Sequence, residues 1–318
     1  MRLDVLRESV EGYDIVVIDE AQRIRSVGIS LKLLVDAKVS ARLVITGSSS
    51  FQLSGQIGEP LTGRKVTLLM LPVSNIELRP QHNPFELKEK IDEHLIFGMY
   101  PEVLTAGNAR EKTEVLNEIT GSYLLKDLLE LERVKSSKVL LDLLRLVAFQ
   151  IGSEVSLREL GAHLGLDYKT VGRYLDLLEK AFVLFNVRGY SRNLRKEVTK
   201  RSKYYFYDTG IRNAIISNFN RPHLRDDCGA LWENHLFAER MKKLTYTRIS
   251  ANIFFWRTWD GQEIDMVEER AGRLYGYEFK WGMKPDKRST RPPKEWVSTY
   301  RDAEYLVVSR ENYLDFVL

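Results

Sequence analysis

A glutamate and a lysine two residues apart, Glu278 and Lys280, have the spacing in this 318-residue chain that most directly suggests chemistry. They lie in the segment 275–281, where aromatic residues alternate with smaller or charged ones. A β-strand has a period of two, so it would present the carboxylate and the ammonium group on one face. The segment therefore predicts a strand with an acid and a base side by side.

A second alternating segment, 262–266, precedes the first and contains Glu263 and Asp265. The residues 270–273 offer a turn, and the register that this turn sets places Asp265 opposite Glu278 and Glu263 opposite Lys280. Directly opposed carboxylates repel each other, so the hairpin predicts a bound metal ion or a raised pKa.

Glu233 adds a carboxylate from a predicted helix, because the apolar residues around it recur at helical spacing. Together, Glu233, Asp265, Glu278 and Lys280 resemble the site of the PD-(D/E)xK nuclease fold. There, acids hold magnesium, and the lysine stabilises the attacking water and the developing phosphorane charge. The resemblance implies a nuclease site with Mg²⁺ or Mn²⁺ at Asp265 and Glu278. The alternative is an inactive domain whose Glu–Lys pair is only a solvated face.

Two further acids, Asp19 and Glu20, follow an apolar strand, Ile15–Ile18. P-loop ATPases keep in this place an acid that holds magnesium and a second that orients the attacking water. The next strand, 42–46, ends at Thr46, where a sensor of the terminal phosphate would lie, and Arg64 would add a cation. These four residues predict a nucleotide and metal site, with Asp19 as the metal ligand. The alternative is that the acids simply mark the return of the chain to solvent.

The phosphate-binding loop of such ATPases, Gly-x₄-Gly-Lys-Ser/Thr, does not occur in the sequence. Its nearest imitation is Lys169-Thr170, where Tyr168 stands in place of the required glycine. Only fourteen residues precede Ile15, too few for the strand, loop and helix that should come first. We therefore expect a chain that starts inside an ATPase domain and does not bind ATP tightly.

A helix-turn-helix is predicted over residues 156–180, because a capping box opens one helix and Asp167 is placed to cap a second. Lys169, Thr170 and Arg173 would lie on the exposed face of the second helix and reach phosphates or base edges. The strand-like runs 184–187 and 204–207 flank the basic segment 188–203, as in the wing of a winged helix. DNA binding is the first interpretation, and protein docking is the alternative.

Composition excludes several classes of protein. With 48 basic and 44 acidic residues the net charge is only +4, so the local clusters matter more than the total. A single cysteine, Cys228, excludes a disulfide framework and a cysteine zinc site. No apolar run approaches the roughly 20 residues of a membrane span, and no signal peptide is visible. A cytoplasmic protein without a membrane role is predicted. His163 and His235 are interpreted as structural.

Several short segments in order resemble the prokaryotic AAA-type ATPases that carry a nuclease-like C-terminal domain of unassigned function. They are IDEAQ (18–22), ITGSSS (45–50), LTGR (61–64), LPVSNIE (71–77), FGMYPE (97–102), YFYDTG (205–210), GALWEN (229–234), GQEID (261–265) and EFK (278–280). The resemblance covers nearly the whole chain.

The resemblance implies a multidomain α/β protein. Its expected parts are a truncated AAA-type ATPase core (1–80), a helical lid-like region (81–135), a winged helix (136–207) and a PD-(D/E)xK-like domain (208–318). A gap is expected in the first sheet, between the strand that ends at Thr46 and a strand at 65–71. The leading function is DNA binding with metal-dependent cleavage. A non-catalytic docking or regulatory protein, with a protein partner or a second copy of itself, is the alternative.

Overall fold

The chain folds as a mixed α/β, multidomain protein, as predicted, with a two-stranded sheet near the N-terminus and a six-stranded mixed sheet in the second half. The structure is a computed structural model that describes residues 3–47, 61–123, 137–191, 202–282 and 291–318. Within these ranges, every helix is too short or too polar to cross a membrane.

The N-terminal part has the predicted strand, helix, strand order. Its elements are α1 (Leu3–Val10), β1 (Ile15–Ile18), α2 (Val27–Asp36) and β2 (Arg42–Ile45). The two strands are parallel, and Ile15 pairs with Arg42 at one end and Ile18 with Ile45 at the other. A small apolar core around Val27 and Leu31 holds α2 against them. The carboxyl ends of both strands therefore meet at one edge of the sheet.

The third strand predicted at 65–71 is wrong, because this segment is neither helix nor strand. It runs past the sheet with alternate apolar side chains in solvent: Val66 is 75% exposed, Leu68 80% and Met70 96%. Among the described residues β2 pairs only with β1, so the segment has no neighbouring strand that would satisfy its backbone.

The middle of the chain is helical, as predicted. It contains α3 (Asn75–Leu78), α4 (Pro84–Glu89), α5 (Ile91–Phe97), α6 (Pro101–Thr105), α7 (Ala109–Glu118), α8 (Ser137–Phe149), α9 (Leu157–Leu164) and α10 (Tyr168–Lys180). The predicted caps form: Ser156 accepts a hydrogen bond from the backbone of Glu159, and Asp167 accepts from those of Lys169 and Thr170. Two capped helices in sequence give the predicted helix-turn-helix arrangement of α9 and α10.

The second half builds the large sheet and the helices that cover it. Its elements are β3 (Leu184–Gly189), β4 (Ser202–Phe206), α11 (Thr209–Ile215), α12 (Cys228–Tyr246), β5 (Asn252–Arg257), β6 (Glu263–Arg270), β7 (Arg273–Lys280), α13 (Lys294–Thr299), β8 (Glu304–Ser309) and α14 (Tyr313–Val317). The strand order is β4-β3-β5-β6-β7-β8. β3 runs parallel to β5, and β7 parallel to β8, while the other neighbours are antiparallel.

The strands assigned to a wing belong to this sheet. β3 and β4 pair with each other in antiparallel fashion, but β3 also pairs with β5. One apolar core, from Leu87 to Val317, includes Tyr204 and Tyr205 of β4, which confirms their interpretation as core residues. The predicted hairpin of these two strands thus forms, but as part of the large sheet. β4 is buried along most of its length, and a wing exposed to solvent would leave that apolar surface uncovered.

Candidate functional site

The acids and the lysine predicted from the hairpin converge at one end of the large sheet. α12 supplies Glu233, β6 supplies Asp265, and β7 supplies Glu278 and Lys280. The β6–β7 ladder has the predicted register, from Met266 opposite Tyr277 down to the turn. The charges of Glu233 and Glu278 both raise the pKa of Asp265, after burial as the largest cause. The effect of Glu278 has the direction that the opposed carboxylates of the hairpin predict.

A β-bulge directs Asp265 into this cluster. Phe254 of β5 pairs with Val267, but Trp256 pairs with Ile264, so β6 has an additional residue in this stretch. The described β6–β7 pairing stops one step before Asp265, where the Asp265 carboxylate instead accepts the backbone N–H of Phe279 at 2.6 Å. Bulges re-aim side chains, and this one carries Asp265 out of the regular ladder that the sequence pattern assumed.

Glu278 and Lys280 form an ion pair along one strand, with Nζ 2.6 Å from Oε1 of the carboxylate. Burial works against the charged form of Lys280, but the hydrogen bond and the charge of Glu278 outweigh it and raise the pKa of the ammonium group. The predicted pairing of Glu263 with Lys280 is wrong. The bulge separates them, and Glu263 binds Lys203 instead, at 2.6 Å.

Glu233 is held from two sides in the second turn of α12. Its Oε1 accepts the hydroxyl of Tyr205 at 2.5 Å and lies 3.4 Å from Nζ of Lys203. Burial raises the pKa of Glu233, while Lys203 and Tyr205 oppose that shift. The turn after α8 closes on the same side chain, since a Cβ at Gly152 would lie 3.2 Å from Glu233 Oε2. Tyr205, Lys203 and the turn at Gly152 therefore restrain the carboxylate.

Lys203 is the member of the cluster that sequence reasoning missed. We counted it among the basic residues of a DNA-binding wing, but it is 2% exposed and lies between Glu233 and Glu263. Both carboxylates raise its pKa, against the effect of burial. The available signal was its place two residues before Tyr205 on β4, which sets both side chains on one face of a buried strand.

In each of the three acids, one carboxylate oxygen accepts hydrogen bonds from other groups of the protein. Glu233 Oε1 binds Tyr205 and Lys203, Asp265 Oδ2 binds the backbone of β7, and Glu278 Oε1 binds Lys280. No protein donor is seen on the second oxygen of any of them within the described residues. Carboxylate oxygens are the ligands that Mg²⁺ and Mn²⁺ prefer, so the donor set fits such a cation. As placed, however, no three Asp, Glu, His or Cys side chains of the described ranges come together to hold a metal ion.

The N-terminal edge brings together three of the four predicted nucleotide residues. The hydroxyl of Thr46 donates to Asp19, and the backbone N–H of Glu20 donates to Thr46 Oγ1 at 3.3 Å. Arg64 lies elsewhere, because its guanidinium pairs with Asp36 at the end of α2. α2 returns the chain to the start of β2, so Asp36 marks the edge opposite Thr46. The serines 48–50 that follow Thr46 lie outside the described residues.

The predicted DNA-contacting residues lie on α10. Lys169 and Arg173 are exposed, whereas the Thr170 hydroxyl donates to the capping residue Asp167 at 2.6 Å. Most of the basic segment between Arg188 and Lys203 lies outside the described residues. Of the two histidines interpreted as structural, His163 is exposed and His235 is buried against Trp232.

Comparison with known proteins gives three family matches along the chain. Residues 2–79 match an AAA domain, residues 88–222 match a domain of unknown function (DUF8612), and residues 228–316 match another domain of unknown function (DUF4143). The first match indicates an AAA-like ATPase relationship, as the sequence motifs implied. The other two carry no assigned activity.

The relatives are themselves uncharacterised. A Mycobacterium tuberculosis protein is 28% identical over 269 residues, which is 84% of this chain and 58% of that protein. A Haemophilus influenzae protein is 26% identical over 241 residues, 73% of this chain and 57% of the relative. A Methanocaldococcus jannaschii protein is 24% identical over 218 residues, 63% and 47% of the two chains. The chain thus spans about half the length of these relatives. No solved structure matches it.

Proposed function

We propose that this protein binds DNA and cleaves it with a metal-dependent site of the PD-(D/E)xK type. The observation that supports the proposal is the convergence of Glu233, Asp265, Glu278 and Lys280 from one helix and two adjacent strands. Carboxylates gathered at the end of a sheet, with an ammonium group beside them, suit the hydrolysis of a phosphodiester.

The contacts of each residue suggest its role in the proposed reaction. Asp265 and Glu278 would hold Mg²⁺ or Mn²⁺ through the oxygens that point away from their protein donors. Such a cation supplies a Lewis acid and an acidified water when bound. Lys280, fixed by Glu278 at 2.6 Å, is placed to stabilise negative charge that develops on the phosphate. Glu233, fixed by Tyr205, supplies further negative charge to the cation site.

DNA would be engaged through α10 and through the basic segment that precedes β4. Lys169 and Arg173 project from the exposed face of α10. Their side chains are suited to phosphate contacts, which position the duplex without reading its sequence. Phosphate binding by such groups releases counterions, so the interaction should weaken steeply with salt.

Nucleotide hydrolysis is not part of the proposal for this polypeptide. Asp19, Glu20 and Thr46 lie together at one edge of the small sheet, and ATP would be the expected ligand of an AAA-type relative at this place. The 318 residues nevertheless contain no glycine-rich loop with a lysine to wrap the phosphates.

A non-catalytic docking protein is the second candidate, and one observation favours it. Three acids of the cluster, Glu233, Glu263 and Glu278, are already paired with lysines, and the described residues contain no ready-made set of three metal ligands. In that case α10 would contact a protein, and the cluster would serve only to stabilise the sheet.

A cleavage assay separates the two functions. Supercoiled, linear and branched DNA would be incubated with the purified chain and Mg²⁺ or Mn²⁺, using Glu278→Gln, Lys280→Ala and, as a matched control on β6, Glu269→Gln. The nuclease proposal predicts cutting by the wild type and E269Q, and a loss of orders of magnitude in E278Q and K280A. Wild-type inactivity on every substrate would favour docking, and cutting retained in both site variants would reject this site.

A further inference from the structure

The buried ammonium group of Lys203 occupies the centre of the acidic cluster, where a cation would be expected. Its Nζ lies 2.6 Å from Glu263 and 3.4 Å from Glu233, and the side chain is 2% exposed. The ring of Phe255 lies against it, with its centroid 5.1 Å from Nζ. Few lysines are buried to this extent, and those that are need carboxylate partners.

The carboxylates around Lys203 outnumber the ammonium groups, so their charge could attract a divalent ion. Four carboxylates of the described residues, those of Glu233, Glu263, Asp265 and Glu278, lie around the ammonium groups of Lys203 and Lys280. When these acids are ionised, negative charge exceeds positive charge in this cluster, and a divalent cation would reduce that excess. Arg257 does not change this balance, because it lies at the rim, 3.9 Å from Glu263, and also pairs with Glu154.

The two contacts of Lys203 are unequal. The contact to Glu263 is that of a close, charge-assisted hydrogen bond, whereas 3.4 Å to Glu233 is long for such a bond. Lys203 can therefore release Glu233 while it remains bound to Glu263. Glu233 differs from Asp265 and Glu278 because it is the acid of these three that pairs with Lys203.

We propose that Lys203 is a built-in counter-cation that competes with a divalent metal ion for Glu233. In the metal-free protein it balances the acids and keeps them together. When Mg²⁺ or Mn²⁺ binds at Asp265 and Glu278, Glu233 exchanges its contact with Lys203 for the metal. The inference rests on the proposed metal site and adds that this site is restrained by its own lysine.

This competition predicts a direction of change in metal affinity that a purely structural lysine would not give. Removing a positive charge near the acids should tighten metal binding, although it destabilises the metal-free fold. Lys203→Gln keeps a hydrogen-bond donor without the charge, Lys203→Met keeps the length, and Lys203→Arg keeps the charge. Lys112→Met is the matched control, because Lys112 is also buried and pairs with Glu93, between α7 and α5.

The test is Mn²⁺ binding by the full 318-residue chain, followed by electron paramagnetic resonance at constant ionic strength. K203Q and K203M should bind Mn²⁺ on the order of tenfold more tightly than the wild type, while K203R and K112M should match it. Added Mn²⁺ should also raise the melting temperature of K203Q more than that of the wild type. Adding Glu233→Gln to K203Q should remove most of the gain.

Unchanged or weaker Mn²⁺ affinity in K203Q would overturn the inference, and so would the absence of Mn²⁺ binding in every variant. A third contrary result would be that K203Q and K203M fail to fold even when Mn²⁺ is present. If these variants fold only when Mn²⁺ is present, the inference is supported. Cleavage is measured separately, so tighter metal binding without any cutting would keep the role of Lys203 and reject the nuclease.

Discussion

At the scale of single residues, the acidic cluster shows what strand periodicity can and cannot predict. The alternation around Glu278 and Lys280 was enough to predict their common strand and its register with β6. The bulge beside Asp265 was not predictable, because an additional residue in a ladder leaves no mark in a pattern of two. Lys203 was misjudged for a related reason: a basic residue in a basic segment is expected in solvent unless its buried partners are known.

Asp265 should cost the metal-free protein stability at neutral pH. Its folded pKa lies well above the ordinary value of 3.8, first because of burial and then because of Glu233 and Glu278. A carboxyl group of this kind favours folding while it is protonated, and that contribution is lost as the pH rises through the folded pKa.

Asp265→Asn should therefore gain stability relative to the wild type as the pH rises from 4 to 8 in the presence of a chelator. Urea unfolding at several pH values measures the difference. Asp142→Asn, which removes a half-exposed aspartate that pairs with Arg145 on α8, is the control and should show no such trend. A pH-independent difference between D265N and the wild type would contradict the assignment.

At the scale of elements, contacts in the structure explain why two of the motifs that carried the family resemblance contain the residues they do. The segment FGMYPE meets YFYDTG because Asp208 binds the backbone N–H of Met99 at 2.7 Å and caps α11 through Ile211. Gly98 has a φ of +71° and passes so close to Asp208 that a Cβ would lie 1.9 Å from Oδ1. Sequence alone could identify these motifs but not the contact between them, since over a hundred residues separate the two segments.

Gly98→Ala should destabilise the protein severely. The alanine would be strained at positive φ and would displace the buried Asp208 carboxylate, two effects that together should cost on the order of 3 kcal/mol or more. Gly229→Ala is the matched control, because its Cβ would meet nothing within 4 Å. Thermal or urea unfolding checks both. Wild-type stability in G98A would mean that the Asp208 carboxylate does not pack against Gly98 and Met99 in this way.

α10 provides the prediction for DNA binding. Lys169→Glu with Arg173→Glu should weaken binding of duplex DNA and lower the slope of log affinity against log salt, by roughly one to two units, because two phosphate contacts are lost. Fluorescence anisotropy over a salt series measures both quantities. Lys138→Glu with Arg145→Glu, two exposed cations on α8, is the control of equal charge change. If the two kinds of variant behave alike, α10 has no specific role in DNA binding.

At the scale of the whole molecule, the N-terminal part is joined to the helix that carries Glu233. The backbone N–H of Leu71 donates to the hydroxyl oxygen of Tyr246 on α12 at 3.2 Å. On the same helix, Lys242 donates to the carbonyl of Val73 at 3.1 Å, and Glu239 accepts the backbone N–H of Asn75 at 2.7 Å. The family resemblance implied the mixed fold class, and the strand, helix, strand order was readable from periodicity. The joining of β3 and β4 to the C-terminal sheet was not, because sheet order depends on contacts between residues that are distant in the chain.

The 318-residue polypeptide should not bind ATP tightly. Asp19 and Thr46 bind each other at the edge of the small sheet, but loop amides and a lysine for the phosphates are not in the sequence. Each such charge-assisted hydrogen bond contributes about 1.5 to 3 kcal/mol, so several orders of magnitude in affinity are expected to be missing. Calorimetric titration with magnesium-ATP measures this. Micromolar affinity would show that other residues build the phosphate site.

The proposed metal site is tested most directly by a crystal of the wild-type chain that is soaked in Mn²⁺ and measured for anomalous scattering. A metal ion held by Asp265 and Glu278 predicts a peak within about 2.0 to 2.4 Å of carboxylate oxygens of both residues. It also predicts that the peak is lost in Glu278→Gln. A crystal with no peak at this cluster, or with Mn²⁺ bound only at other residues, would contradict the proposed site.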